Sequence, residues 1–161
     1  MMQTMLDKEA FSAQVIRCQA TMFRTARAIL HSDQDAEDAV QEAICAAFAH
    51  RQSLRDVEKF KPWILCILTN QCYEICRKRR NVVDLDAVRE LSAPAEDIEQ
   101  RMTLWQAILL LNEDLRATVT LFYYDGLSIR EISHILDISE VAAKTRLSRG
   151  RAQLRTLLDE K

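Results

Sequence analysis

The chain has little glycine and little proline, two of each in 161 residues. A sheet protein needs many turns at which one or the other supplies the backbone geometry, so these counts argue against one. No apolar run approaches the roughly 20 residues that cross a bilayer. The N-terminal stretch carries Asp7, Lys8 and Glu9 where a signal peptide would be apolar. The expectation is a cytoplasmic protein without membrane insertion. The five cysteines are an odd number and contain no CxxC pair, which excludes a disulfide framework as the organising principle. Cys66, Cys72 and Cys76 fall on one expected helix, where small core residues are a better reading than metal ligands. The three histidines (His31, His50 and His134) are far apart. There is no phosphate-binding glycine loop, no nucleophile elbow and no acid pair in a plausible pocket. No catalysis, metal or cofactor is therefore expected.

What is present favours helix. Apolar residues make up 48% of the chain, enough for a core, and long stretches are rich in Ala, Leu, Ile, Glu, Gln and Arg. The net charge of −2 hides a pattern. Residues 1–82 hold 12 Lys and Arg against 10 Asp and Glu, residues 83–115 hold 2 against 8, and residues 116–161 hold 8 against 6. Two mildly basic ends flank an acidic middle. Affinity for DNA is largely phosphate neutralisation, so a chain this weakly basic grips duplex poorly unless it dimerises or a partner contributes.

A first helix is expected from about Lys8 to Leu30. Ser32 and Asp33 are both suitable N-caps for a second, whose apolar face is Ala36, Val40, Ala43, Ile44, Ala47 and Phe48. Its other face shows Asp35, Asp38, Gln41 and Glu42. After a loop over residues 51–59, Pro62 suits the first turn of a third helix. That helix ends in the cluster Arg77, Lys78, Arg79 and Arg80. Such a cluster serves equally as complement to a helix C-terminus or as a phosphate contact. Residues 81–96 lack a period and read as an acidic linker. A further helix is expected from near Pro94 to Leu111. Another follows the cap at Asn112 and runs to Asp125–Gly126, where glycine offers the left-handed position.

The C-terminal stretch is the most telling. Ser128 and Glu131 form a capping box, with Ile132, Ile135 and Leu136 as the buried stripe behind it. A turn at residues 137–139 leads to a helix capped by Ser139, with Ala143, Leu147, Gly150, Leu154 and Leu157 inward. Lys144, Thr145, Ser148 and Arg149 then project outward, and residues 144–155 hold five basic residues and no acidic one. Two short capped helices, the second basic, are the pattern of a helix-turn-helix DNA reader.

DAEDAVQEAICAAF, FKPWILCILTN and the Arg77–Arg80 cluster together resemble region 2 of extracytoplasmic-function (ECF) sigma factors of bacterial RNA polymerase, in the sigma-70 family. Residues 111–155 resemble their region 4. The likeness covers nearly the whole chain in order and spacing. It implies an all-α fold of two small helical domains, residues 1–80 and 97–161, joined by a flexible linker over 81–96. It also implies a subunit that directs core RNA polymerase to promoter DNA under the control of an anti-sigma factor. Carried over by position, Asp35, Asp38, Gln41 and Glu42 would meet the polymerase. Arg55, Lys59, Asn70, Arg77, Lys78, Arg79 and Arg80 would serve the −10 element. Arg130, Lys144, Thr145, Arg146, Ser148, Arg149 and Arg151 would serve the −35 element. Asn112, Asp137, Ile44, Ala143 and Glu74 depart from common family residues without breaking the pattern. Two alternatives remain open to test: a sigma-like mimic that binds only an anti-sigma protein, and a homodimeric helix-turn-helix regulator.

Overall fold

A computed structural model describes residues 6–81 and 102–159, so the expected linker over 81–96 lies almost wholly outside the described residues. Every regular element described is helical. Helix α1 (Lys8–Leu30) starts where the Asp7 carboxylate accepts the Ala10 N–H at 2.8 Å. Its buried positions Phe11, Val15, Cys18, Met22 and Ala26 recur at spacings of three and four. It ends at His31, which takes a left-handed backbone (φ 64°) and donates its N–H to the Arg27 carbonyl. Ser32 caps α2 (Asp33–Ala49). Ala36, Ala39, Ala43 and Ala47 are fully buried on α2 and let it lie close to its neighbours.

Two short 3-10 turns lead into α3 (Phe60–Asn81). Phe60 is buried and meets Phe11 edge-on, with ring centroids 5.9 Å apart. Burying a ring of this kind stabilises the fold by roughly 2–3 kcal/mol. Helices α1, α2 and α3 pack on one another.

In the second half, Thr103 opens α4 (Leu104–Leu109) with a capping box to Gln106. Because Thr103 is extended, the single helix expected from Pro94 to Leu111 is broken there. Residues 94–101 of that expected helix lie outside the described residues. Asn112 caps α5 (Glu113–Val119) as expected, and the helical backbone continues to Asp125, but its last turn changes type. Residues 120–124 make a wider π turn, closed by the Asp125 N–H donating to the Thr120 carbonyl at 3.1 Å. Gly126 then takes a φ of 73°, a conformation that L side chains rarely adopt. Helices α6 (Ile129–Leu136) and α7 (Glu140–Asp159) follow. A Cβ at Gly150 would lie 2.5 Å from Val119 Cγ2, so only glycine lets α7 lie this close to α5.

The two halves are packed together. Ile132, Ile135, Leu136, Ala117 and Leu121 join the same core as α1–α3. Two buried polar side chains pin this seam. Arg116 donates Nε to the Ala28 carbonyl, Nη2 to the Ile29 carbonyl at 3.4 Å and Nη1 to the Leu111 carbonyl at 2.9 Å. Two of these are carbonyls of the last turn of α1, which have no helical partner and carry the negative end of the helix dipole. Asp125 accepts the Thr25 hydroxyl at 2.6 Å through its carboxylate and Lys61 Nζ at 2.7 Å through its carbonyl. Arg24 lies 3.6 Å from the second carboxylate oxygen. Burial pushes the Asp125 carboxyl up to about 6, against the opposing pull of Thr25, Arg24 and Lys61.

Candidate nucleic-acid interface

The helix-turn-helix unit is built from local signals. Ser128 N–H donates to Glu131 Oε1 at 2.9 Å, and Glu131 N–H donates to Ser128 Oγ at 3.1 Å, closing the expected capping box. Asp137 ends α6 with a left-handed backbone (φ 59°, ψ 49°), which aspartate tolerates better than most residues. Ile138 N–H reaches back to the Ser133 carbonyl at 2.9 Å, and Ser139 Oγ accepts the Ala142 N–H at 3.0 Å to start α7. With Ala143, Leu147, Gly150 and Leu154 buried, Lys144, Thr145, Ser148 and Arg149 are exposed on the other side. None of these four makes an ion pair or side-chain hydrogen bond within the described residues. Donors and hydroxyls displayed in this way suit base edges in a major groove.

The flanking cations are more constrained. Arg146 is half-buried and 4.0 Å from Asp114. Arg151 donates Nε to the Tyr123 hydroxyl at 2.5 Å and lies beside the Phe122 and Tyr123 rings. Arg130 does not join this face. It lines a groove of about 870 Å³ between the two halves, together with Lys59, Trp63, Cys66, His134 and Ile135.

The loop over residues 51–59 is held by its own bonds. Arg51 donates to the Phe48 carbonyl at 2.9 Å and stacks over the Phe48 ring, Asp56 accepts the Glu58 N–H, and Leu54 is buried beneath. Arg55 and Lys59 are exposed on it. Asn70 is exposed on α3, while Leu68 and Thr69 beside it are buried. Arg77, Lys78 and Arg79 are exposed at the end of α3, where Arg77 pairs with Glu74. Arg80 follows on α3, with its side chain outside the described residues.

On α2, Asp38, Gln41 and Glu42 form an exposed face that also includes Glu37. Asp35 stands apart. Its side chain is only 14% exposed and pairs with Arg79 at 2.8 Å. Residues expected at the polymerase and at the −10 element are thus joined to each other.

The thiols give little chemistry. Burial raises Cys18, Cys66 and Cys72, which disfavours the reactive thiolate. Cys76 donates to Glu113 at 3.8 Å. Among the described residues no group of three or more His, Cys, Asp or Glu could hold a metal, and no helix is long and apolar enough to cross a membrane.

Sequence reasoning missed Arg116 and Asp125 as buried pins, and Val141, which is 72% exposed in the first turn of α7. The signal for Val141 was readable, since it precedes Lys144, Thr145 and Ser148 by three, four and seven residues.

Comparison with known proteins assigns both halves. Residues 15–82 match the family Sigma-70 region 2, and residues 101–154 match Sigma-70, region 4. The chain is 33% identical over 129 residues to the ECF RNA polymerase sigma factor SigM of Bacillus subtilis, covering 76% of this chain and 78% of that protein. It is 31% identical over 169 residues to SigW of the same organism, covering 94% and 90%. Its fold is similar to that of the sigma factor RpoE from Bartonella quintana, solved in complex with the anti-sigma factor NepR. The TM-score is 0.78 at 26% identity, covering 94% of this chain and 99% of that one.

Proposed function

The chain belongs to the ECF sigma factors of bacterial RNA polymerase, which direct promoter-specific transcription initiation, and we propose a division of that work between its two halves. Residues 97–161 read the −35 element. Helix α7 lies in the major groove with Lys144, Thr145 and Ser148 toward base edges and Arg146, Arg149 and Arg151 toward phosphates. Residues 1–80 open and hold the −10 element. The loop carrying Arg55 and Lys59, together with Asn70, captures an unpaired base. Asn70 both donates and accepts, which a pocket for a flipped base requires. Arg77, Lys78, Arg79 and Arg80 hold nearby phosphates. Asp38, Gln41 and Glu42 on α2 dock on core polymerase, joined by Asp35 once Arg79 releases it. The protein works in the cytoplasm, and an anti-sigma protein is its regulator.

The observation that carries this reading is the outward row on α7, held by a capped helix-turn-helix, in which Lys144 and Arg149 have no ion pair among the described residues. The packing of the halves adds a mechanical condition. Arg130 and Lys59 line one groove, whereas promoter elements about 25 base pairs apart are separated by roughly 85 Å of duplex. The closed arrangement cannot serve both elements, so the seam opens when polymerase is loaded.

The test is reconstitution with bacterial core polymerase followed by sequencing of transcript 5′ ends. Stable binding and a shared two-part motif upstream of the starts are expected. Binding to an anti-sigma protein without any transcript would establish the mimic. Tight binding to a palindromic duplex without polymerase would establish the homodimeric regulator.

A further inference from the structure

We infer that Val141 is a specificity-determining residue of α7 and that it reads the C5-methyl group of a thymine in the −35 element. The inference rests on the placement of α7 in that major groove. Val141 is 72% exposed, more than any other large hydrophobic residue described. It lies in the first turn of α7, two residues after the Ser139 cap. Its spacing from Lys144, Thr145 and Ser148 puts it on their face, opposite the buried stripe of Ala143, Leu147 and Leu154. In helix-turn-helix readers the N-terminal residues of the second helix are those that reach base edges.

Nothing among the described residues accounts for a valine here. It is β-branched in a helix, which lowers its propensity, and at 72% exposure little of it is buried in return. Local choices that work against the fold gather at functional sites. The isopropyl group has no donor or acceptor, so it cannot pair with the polar atoms of guanine, adenine or cytosine, and it would desolvate them. Among the major-groove edges, thymine alone offers a methyl group to an apolar side chain. Its neighbours on the face, Lys144 and Thr145, supply polar readout, so Val141 adds a different kind of selectivity. Burying one methyl group is worth about a fourfold change in affinity.

The test uses reconstituted holoenzyme on a promoter whose −35 element has been defined by selection. Each thymine of that element is replaced in turn by deoxyuridine, which removes only the C5-methyl group. Initiation is measured at limiting enzyme. Wild type should lose about fourfold at one position, and Val141→Ala should lose nothing further there. Exposure of the site means that the alanine variant folds as the parent does. Three results would overturn the inference: wild type indifferent to deoxyuridine at every thymine, a variant that keeps the wild-type profile, or a selected element without thymine. The second of these, accompanied by lower core affinity in Val141→Ala, would make the residue a protein contact. Arg149→Glu in the same assay separates the two levels. If that variant leaves −35 dependence intact, the placement of α7 itself fails.

Discussion

The two basic surfaces of this protein carry similar charge in different surroundings. At the end of α3, Arg77 is paired with Glu74 and Arg79 with Asp35. On α7, Lys144 and Arg149 have no carboxylate partner among the described residues. A cation already held by the fold must exchange one anion for another to bind DNA, and the net gain is small. A cation without a partner brings its full electrostatic contribution. Counting charges would rank the two surfaces as equal, whereas their neighbours hold Arg77 and Arg79 of α3 and leave Lys144 and Arg149 of α7 without a carboxylate among the described residues.

The largest expected effect breaks the seam that holds both surfaces in one body. Arg116→Ala removes the cap from the last turn of α1 and leaves buried carbonyls without donors. It should lower unfolding free energy by about 3 kcal/mol, measured in urea. Asp125 tests the same seam through pH. Its carboxyl is raised to about 6 from 3.8, so the folded chain holds that proton more tightly than the unfolded chain. Its contribution to stability is therefore full below about 4 and lost as pH rises through 6. Acidification from pH 7 to 5 should stabilise the packed form by about 1–2 kcal/mol through this group, and Asp125→Asn should flatten that slope in urea titrations.

The contrast between the surfaces comes next. Arg149→Glu should reduce −35-dependent transcription about thirtyfold with core binding unchanged, as separate transcription and binding assays would reveal. Asp38→Arg should weaken core affinity about tenfold in a competition assay and leave duplex recognition alone. Arg79→Ala should cost threefold or less in transcription, because removing it also frees Asp35. An effect of Arg79→Ala as large as that of Arg149→Glu would erase the distinction.

The helix ends were legible because their signals act within four residues. Ser32, Asn112, Ser128 and Ser139 cap the helices expected of them, and Asp7 caps α1 by the same local chemistry. The left-handed turn at Asp137 and the positive φ at Gly126 follow from the same short-range chemistry. The outward row of α7 was legible because helical periodicity fixes which side faces the core. The extended break at Thr103 is written in the sequence as a second capping box, formed by Thr103 and Gln106.

Local sequence therefore determined an all-helical chain, its caps, the helix-turn-helix unit and the outward row of basic and hydroxyl side chains on α7. The tertiary structure decided which charges remain available. The π turn over residues 120–124 accompanies an Asp125 carboxylate buried against Thr25, a partner 100 positions away. Asp35 and Arg79 meet across 44 positions, and Arg116 reaches carbonyls 87 and 88 positions earlier. Such contacts depend on how helices pack. Packing is governed by burial and close fit of the whole surface, and no window of neighbouring residues contains that information.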